Sequence, residues 1–372
     1  MSDGIVFDGF GPEKVFEVYN AKVGMHGFVV IDNTALGPGK GGIRMTLSVS
    51  REEVFALART MTWKNALAEL PFGGAKSGII ADAKRLSREK KDEIVRAFAD
   101  ALKPVVPSQY VAAPDISMAE YEMRIFSETV GDKKACTGKP ADMGGLPHEL
   151  GSTGFGVFHA AKVAAEHLGK SLEGMTFAVE GFGNVGWFAS KFLIESGAKL
   201  VTVSDSKGVV CDSSGIGFEE LAKVKAETGS VTNYAPKNGN GCKDIVSANA
   251  DILITAAIPN LVTAADVHNV KAKIVVEGSN IPMSVEMERI LAEKGVLVVP
   301  DFVANAGGVI SSYVEYIGGS EKEMFAMVEQ KITKNTKAVL GHADAEKILP
   351  RDAGLAIAKE RVLKACKTCR VK

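Results

Sequence analysis

A two-domain α/β fold is predicted for this chain of 372 residues by three observations. Residues 175–208 run strand, glycine turn, helix, strand, the span of one βαβ unit, and such a crossover implies a parallel sheet. Short apolar runs, ADILITAA, AKIVVEGSN and VLVVPDFVAN, then alternate with helical stretches, as a doubly wound sheet requires. The length exceeds one ordinary domain, and the residues before about 140 have a different, Gly- and Lys-rich texture. The expected division is an α/β domain at 1–140, a doubly wound domain at 141–335, and carboxy-terminal helices at 336–372 packing back towards the first domain. A cleft is expected to separate the two domains.

Within the first domain, GMHGFVVIDNT (24–34) reads as a strand and LGPGKGGIR (36–44) as a glycine-rich turn. Ser50 with Glu53 three residues on is a capping box, and apolar Val54, Leu57, Ala58 and Met61 follow at helical spacing, so 51–69 is a helix. PFGGAKSGI is expected to be a loop, 87–102 a helix stopped by Pro104, and 110–116 a strand. FGVFHAAKVAAEHLG is a helix closed by Gly169. The chain is helical from about residue 312 onwards, with VLGHADAEKILP (339–350) as an interruption.

Charge and composition exclude several classes. The 44 Lys+Arg balance 45 Asp+Glu to a net charge of -1, which removes the electrostatic case for nucleic acid as a partner. No apolar run approaches the roughly 18–20 residues of a membrane span, so no membrane partner is expected. The amino end lacks the basic region and apolar core of a signal peptide, and a cytoplasmic globular protein is expected. Cys136, Cys211 and Cys242 are scattered, and Cys366 and Cys369 form a lone C-x-x-C read as reduced thiols. No second pair and no suitably spaced His is present, so no metal is predicted.

Gly181-Phe182-Gly183-Asn184-Val185-Gly186 is a G-x-G-x-x-G turn between a strand and a helix, the context of a Rossmann-type dinucleotide site. The first glycine permits the turn, the second lets a pyrophosphate approach the backbone, and the third allows helix and strand to pack closely. The helix N-terminus offers free N–H groups to the phosphates. Asp205 ends the next strand at the distance expected of an acid that accepts hydrogen bonds from the adenosine ribose, which favours NAD. Ser204, Ser206 and Lys207 beside it suit a 2′-phosphate, so NAD and NADP both remain open.

Lys40, Lys64 and Lys76 sit among Gly, Ala, Pro, Trp and Phe, with no acidic residue within three positions. A desolvated ammonium is costly unless paired, and burial lowers its pKa. Three such lysines converging would suit a small anionic substrate and leave one poised as a base. Asp115, at the end of an apolar strand, is the candidate acid. The plain alternative is that glycine-rich turns merely expose their lysines.

LGPGKGGIRM, MTWKNALAELPFGGAKSGI, AAPD, GFGNVG, VEGSN and DFVANAGGV, in this order, resemble the glutamate/leucine/phenylalanine/valine dehydrogenase superfamily from about residue 24 to the end. The resemblance implies reversible oxidative deamination of an L-amino acid to its 2-oxo acid and ammonium, with NAD or NADP as acceptor. It also implies a substrate-binding and oligomerisation domain preceding a nucleotide domain, and a homo-oligomer, with a hexamer expected. By motif, Lys64 grips the substrate α-carboxylate, Lys76 activates water, and Asp115 shuttles protons to and from the substrate nitrogen. Thr153, Ala256, Asn280 and Asn305 match positions near the nicotinamide.

Glutamate members carry a lysine in the glycine turn and a serine shortly after NAGGV, where branched-chain members are apolar. Lys40 and Ser312 therefore imply L-glutamate and 2-oxoglutarate, with Gly41, Ala113 and Val309 lining the same pocket. Departures from the family pattern are Ser77 after the proposed catalytic lysine, TAAIPN at 255–260, Glu149, and Glu180 before the first glycine. A short amino end, nearer the leucine enzymes, keeps a leucine or valine dehydrogenase as the alternative. A catalytically silent nucleotide-binding paralogue is the alternative outside enzymes.

Overall fold

The structure, a computed structural model, describes residues 4–147, 150–238 and 243–370. Cys242 and Glu149, both singled out above, lie outside the described residues. Two compact units form. The first comprises Met1–Leu150, Val309–Met324 and Ile357–Lys372, and the second Gly151–Gly308 and Phe325–Ala356. The carboxy-terminal helices are thus shared between the units, where the sequence grouped 336–372 together.

The first unit is built on a five-stranded sheet. Its elements run β1 (Lys14–Asn20), β2 (Met25–Asn33), β3 (Gly39–Thr46), α1 (Arg51–Leu67), β4 (Gly73–Ile80), α2 (Arg88–Leu102), β5 (Tyr110–Pro114) and α3 (Glu120–Val130). Spatial order is β1-β2-β4-β3-β5. β4 is antiparallel to β2 and parallel to β3, which is parallel to β5. Ser50 caps α1 through Glu53 N, as the sequence signal indicates, and Ser87 caps α2 through Lys90 N.

Two expectations are corrected here. LGPGKGGIR and PFGGAKSGI, read as turn and loop, form most of β3 and β4. Their glycines serve close packing across the sheet rather than turning. A Cβ on Gly74 would fall 2.1 Å from Thr62 Oγ1, 2.3 Å from Thr62 N and 2.5 Å from the Ala58 carbonyl, so α1 rests directly on β4. The opposite face follows ordinary alternation. Ile43, Met45, Ala75, Ile79, Tyr110 and Ala112 are buried there in one cluster with Phe98 of α2 and Phe126 of α3.

In the second unit follow α4 (Ser152–His167), β6 (Thr176–Glu180), α5 (Asn184–Glu195), β7 (Lys199–Asp205), β8 (Gly208–Cys211), α6 (Phe218–Thr228), β9 (Ile252–Thr255), β10 (Ile274–Glu277), α7 (Val285–Glu293), β11 (Leu297–Val299) and the short α8 (Asp301–Ala304). The sheet order is β11-β10-β9-β6-β7-β8. All neighbours are parallel except β7 and β8. The chain leaves β6 towards β7 and later returns to β9 on the other side of β6. That reversal opens a crevice at the carboxyl ends of β6 and β9, the place where doubly wound sheets bind ligands.

Three helices close the chain: α9 (Gly307–Tyr316), α10 (Glu321–Glu346) and α11 (Pro350–Ala365). The interruption expected at 339–350 is confined to the residues after Glu346. Gly341 sits inside α10 with open space where its Cβ would be, at the modest cost of about 1 kcal/mol for a helical glycine. Arg361 donates to the Ala66 and Leu67 carbonyls and so closes the carboxyl end of α1.

The reduced C-x-x-C is also corrected, because Cys366 and Cys369 form a disulfide. The chain leaves α11 at Ala365 and turns back, and Arg370 N donates to the Gly9 carbonyl at 3.0 Å. A thiol pair read as the tail of a helix gives no hint of that turn. Cys136 is free and buried. Among the described residues, no helix is long and apolar enough to cross a membrane.

Gly74→Ala should lower the unfolding free energy of the chain by about 2–3 kcal/mol, the upper range for overpacking, because the added carbon meets helix backbone. Urea denaturation followed by circular dichroism measures it.

Candidate active site

Parallel pairing places Gly74 beside Lys40 and Gly42 beside Ala113, so alternate residues of β4, β3 and β5 share one face. Lys76 lies on that face from β4, Lys40, Gly42 and Arg44 from β3, and Ala113 and Asp115 from β5 and its end. Two of the three lysines singled out from sequence therefore converge with Asp115. Lys64 lies in the last turn of α1, the helix that packs on β4, and is half-buried.

Lys76 Nζ and Asp115 Oδ2 are 2.7 Å apart, and Arg44 Nε reaches the same carboxylate oxygen at 3.0 Å. Glu53 pairs with Arg44 from α1. A Cβ on Gly42 would lie 2.8 Å from Asp115 Cβ and 3.2 Å from Lys76 Nζ, so only glycine leaves room for this pair. Burial lowers the Lys76 pKa more than Asp115 raises it. Burial pushes the Asp115 carboxyl up, but Lys76 and Arg44 outweigh it and hold the group below the usual carboxylate range.

Lys40 is 1% exposed, and its ammonium donates to the Ala112 carbonyl at 2.8 Å. Burial pushes its pKa down to about 7, partly opposed by Glu315. Glu315, on α9, accepts from the backbone N–H groups of Gly138, Lys139 and Leu146 and pairs with the Lys139 ammonium. The same helix carries Val309 and Ser312, both half-buried and both belonging to the first unit. Phe72, just before β4, meets Tyr313 and Tyr316 edge-on and so ties α9 to this unit.

Ser77 faces the other side of β4 from Lys76. Its hydroxyl is 2.9 Å from Tyr110 OH, which donates to the Gly41 carbonyl at 3.0 Å. The residue that departs from the family pattern thus braces the Lys40–Gly41 backbone from behind. Arg44, Tyr110, Lys139 and Glu315 were missed in the sequence. Strand alternation from Lys40 would have found Arg44, but residues 36–44 read as a turn hid that period.

In the second unit, Gly181 has a φ of 88° and follows β6, and a Cβ on Gly186 would fall 1.9 Å from the Gly181 carbonyl. A Cβ on Gly183 would meet nothing within 4 Å, leaving open space at the start of α5, whose cap Gly183 makes no side-chain hydrogen bond. Phe182 is buried, while Asn184 and Val185 open the helix. The open space at Gly183 and the amino end of α5 together form a cradle that fits the pyrophosphate of a dinucleotide. Thr153 lies beside Gly308, where an added Cβ would come 3.1 Å from the threonine hydroxyl. Asn305 Nδ2 donates to Asn280 Oδ1 at 2.9 Å, and Asn305 Oδ1 is buried with no partner among the described residues, an acceptor suited to an amide N–H.

Ala256 directly follows β9 beside that turn, and its N–H reaches the Glu180 carboxylate at 3.0 Å. Asp205 accepts hydrogen bonds from its own neighbours, and Ser206 next to it is exposed.

The chain matches two family patterns that together span most of its length. Residues 144–369 match Glutamate/Leucine/Phenylalanine/Valine dehydrogenase, and residues 12–131 match the Glu/Leu/Phe/Val dehydrogenase dimerisation domain. It belongs to this dehydrogenase family. The relatives agree: it is 42% identical over 352 residues to the glutamate dehydrogenase of Aeropyrum pernix, covering 90% of this chain and 84% of that one. It is 37% identical to the NADP-specific glutamate dehydrogenase of Saccharolobus shibatae, over 90% of this chain and 83% of the other. Among solved structures, hetero-hexameric glutamate dehydrogenase from Thermus thermophilus in its Leu bound form superposes with a TM-score of 0.84 at 28% identity, covering 97% of this chain and 91% of that one. L-tryptophan dehydrogenase from Nostoc punctiforme superposes with a TM-score of 0.75 at 26% identity, covering 95% and 96%. The protein is an amino-acid dehydrogenase, an oxidoreductase of this family.

The buried Lys40 bears on stability in a pH-dependent way. Its ammonium ordinarily titrates near 10.5 and here near 7, so the cost of burying it is full below pH 7 and fades as pH rises between those values. Lys40→Leu should raise Tm by about 3 °C at pH 6–7, the shift for about 1 kcal/mol in a domain of this size. The gain should shrink towards pH 10, as read by differential scanning calorimetry.

Proposed function

We propose that this dehydrogenase oxidatively deaminates L-glutamate to 2-oxoglutarate and ammonium, reversibly, using NAD or NADP. The observation that carries the substrate assignment is Lys40, an ammonium enclosed by protein on the same strand face as Lys76 and Asp115. An apolar leucine side chain placed against it would offer the ammonium no counter-charge, whereas a γ-carboxylate pairs with it. Ser312 adds a hydroxyl from α9, and Gly41, Ala113 and Val309 supply small walls. The Aeropyrum and Saccharolobus relatives, both glutamate dehydrogenases, support the same substrate.

In this reading Lys64 holds the α-carboxylate and fixes the direction in which Cα points. Asp115, kept ionised by Lys76 and Arg44, takes a proton from the substrate ammonium, since only the neutral amine releases hydride readily. Bound NAD or NADP supplies the hydride acceptor. Lys76, whose proton is loosened by burial, activates the water that adds to the iminium carbon, and Asp115 returns a proton to the departing nitrogen. The Gly181–Gly186 turn holds the pyrophosphate, and Thr153, Ala256, Asn280 and Asn305 orient the nicotinamide. A domain at 1–140 for substrate and assembly, a nucleotide domain at 141–335 and a homo-oligomer, a hexamer, complete the proposal. The hetero-hexameric Thermus neighbour supports the hexamer.

The test is reduced-nicotinamide absorbance with L-glutamate and L-leucine in parallel, each with NAD and NADP. Turnover with glutamate and not leucine is expected, and faster leucine turnover would replace the pocket assignment with the branched-chain reading. Turnover with neither would favour a silent paralogue. Lys76→Ala should lower kcat by about 100-fold or more, as expected for loss of acid–base catalysis, while nucleotide still binds by calorimetry. Lys40→Leu should move kcat/KM from glutamate towards apolar amino acids by at least about tenfold; unchanged selectivity would sink the pocket assignment.

A further inference from the structure

Asp205 is the residue that a doubly wound nucleotide domain presents to the adenosine ribose, at the end of its second strand. Here its acceptors are already in use. Oδ2 accepts from Lys225 Nζ at 2.7 Å and Val231 N at 2.8 Å, and Oδ1 from Lys207 N at 2.9 Å and Ser230 Oγ at 3.2 Å. The carboxylate side chain is only 6% exposed, and against the upward push of burial these donors hold its pKa at about 2. It is a permanent anion, already neutralised and already hydrogen-bonded.

A ribose 2′-hydroxyl needs a free acceptor to be recognised, and this carboxylate has little capacity left. A 2′-phosphate needs positive charge and donors, and a bare carboxylate would repel it. Lys225, reaching from α6, cancels the Asp205 charge. Lys207 and Ser206 are exposed on the turn that follows. Among the described residues the Lys207 ammonium makes no ion pair, and it lies near Gly229, 3.8 Å from where a Cβ would be. The local balance of Lys207, Lys225 and Asp205 is one net positive charge.

We propose that Lys225, by its ion pair with Asp205, is a specificity-determining residue that selects the 2′-phosphorylated coenzyme, with Lys207 and Ser206 receiving the phosphate. The proposal rests on the nucleotide-site reading above and deepens it. Without Lys225, Asp205 becomes an uncompensated anion with a free lone pair, which favours the ribose hydroxyl and opposes the phosphate.

The test uses the full chain and two probes, adenosine 2′,5′-bisphosphate and AMP, titrated by calorimetry, with the NADP and NAD KM values beside them. The unaltered protein should bind the bisphosphate at least about tenfold more tightly than AMP. Lys225→Met, which keeps the aliphatic stem, should reduce that ratio by about tenfold or more, whereas Lys225→Arg should retain it. Lys207→Ala should lower bisphosphate affinity and spare AMP, and it provides an independent variant if Lys225→Met fails to fold. A ratio changed by less than about twofold in Lys225→Met, or tighter binding of AMP by the unaltered protein, overturns the proposal. Binding of neither probe by the unaltered protein would remove the nucleotide-site reading itself.

Discussion

Two ammonium groups held out of water on one face of a five-stranded sheet impose the conditions that the rest of the first unit meets. A charge taken into a low-dielectric interior is tolerated only when opposite charge or polar groups surround it. Lys76 has Asp115, which is shared with Arg44, which in turn is shared with Glu53 of α1. Lys40 has a backbone carbonyl and the field of Glu315, itself satisfied by Lys139 and three N–H groups. The glycines of β3 and β4 follow from the same demand. Any side chain at Gly42 would fill the space in which Lys76 and Asp115 meet, and any at Gly74 would lift α1 off the sheet.

The second unit treats charge differently, using carboxylates to fasten loops at the carboxyl ends of its strands. Glu180 accepts the N–H groups of Ala256, Ala257 and Ile258, and so joins the end of β6 to the loop after β9. Asp205 fastens residues 207, 230 and 231. Asp301 accepts from Ile281 and Phe302, while Arg351 gathers Glu277, Glu288 and Asp301 into one buried cluster. The loops around Asn280 and Asn305 are thereby held, and the amino end of α5 opens beside them at Gly183. A helix amino end is what an incoming anion requires. Glu180, a departure from the family pattern, is accommodated because three backbone donors face it.

A good part of this was legible in the sequence, because it depends on local rules. Ser50 announced its helix by capping, and Pro104 marked the end of the next one. The Gly181–Gly186 turn announced its strand and helix by glycine spacing, and the short apolar runs of the second unit announced buried parallel strands. Lys40, Lys76 and Asp115 stood out as charged residues in apolar company. What misled was glycine. In β3 and β4 it serves close packing, which looks the same in sequence as a flexible turn, so two central strands were read as loops and Arg44 went unnoticed.

The sequence by itself determined the fold class, the glycine turn between β6 and α5 and the charged residues in apolar company, since each rests on spacing along a helix, strand or turn. Only the tertiary structure decided what each charge faces. Whether Asp205 is free or already taken depends on Lys225 and Ser230, distant from it along the chain, and Glu315 reaches the neighbourhood of Lys40 only because α9 belongs to the first unit. The turn that joins Cys366 to Cys369, with Arg370 docked on Gly9, likewise brings together the two ends of the chain. Local rules fix the conformation of a segment; electrostatic partnership depends on distance through space, which only the packed chain sets.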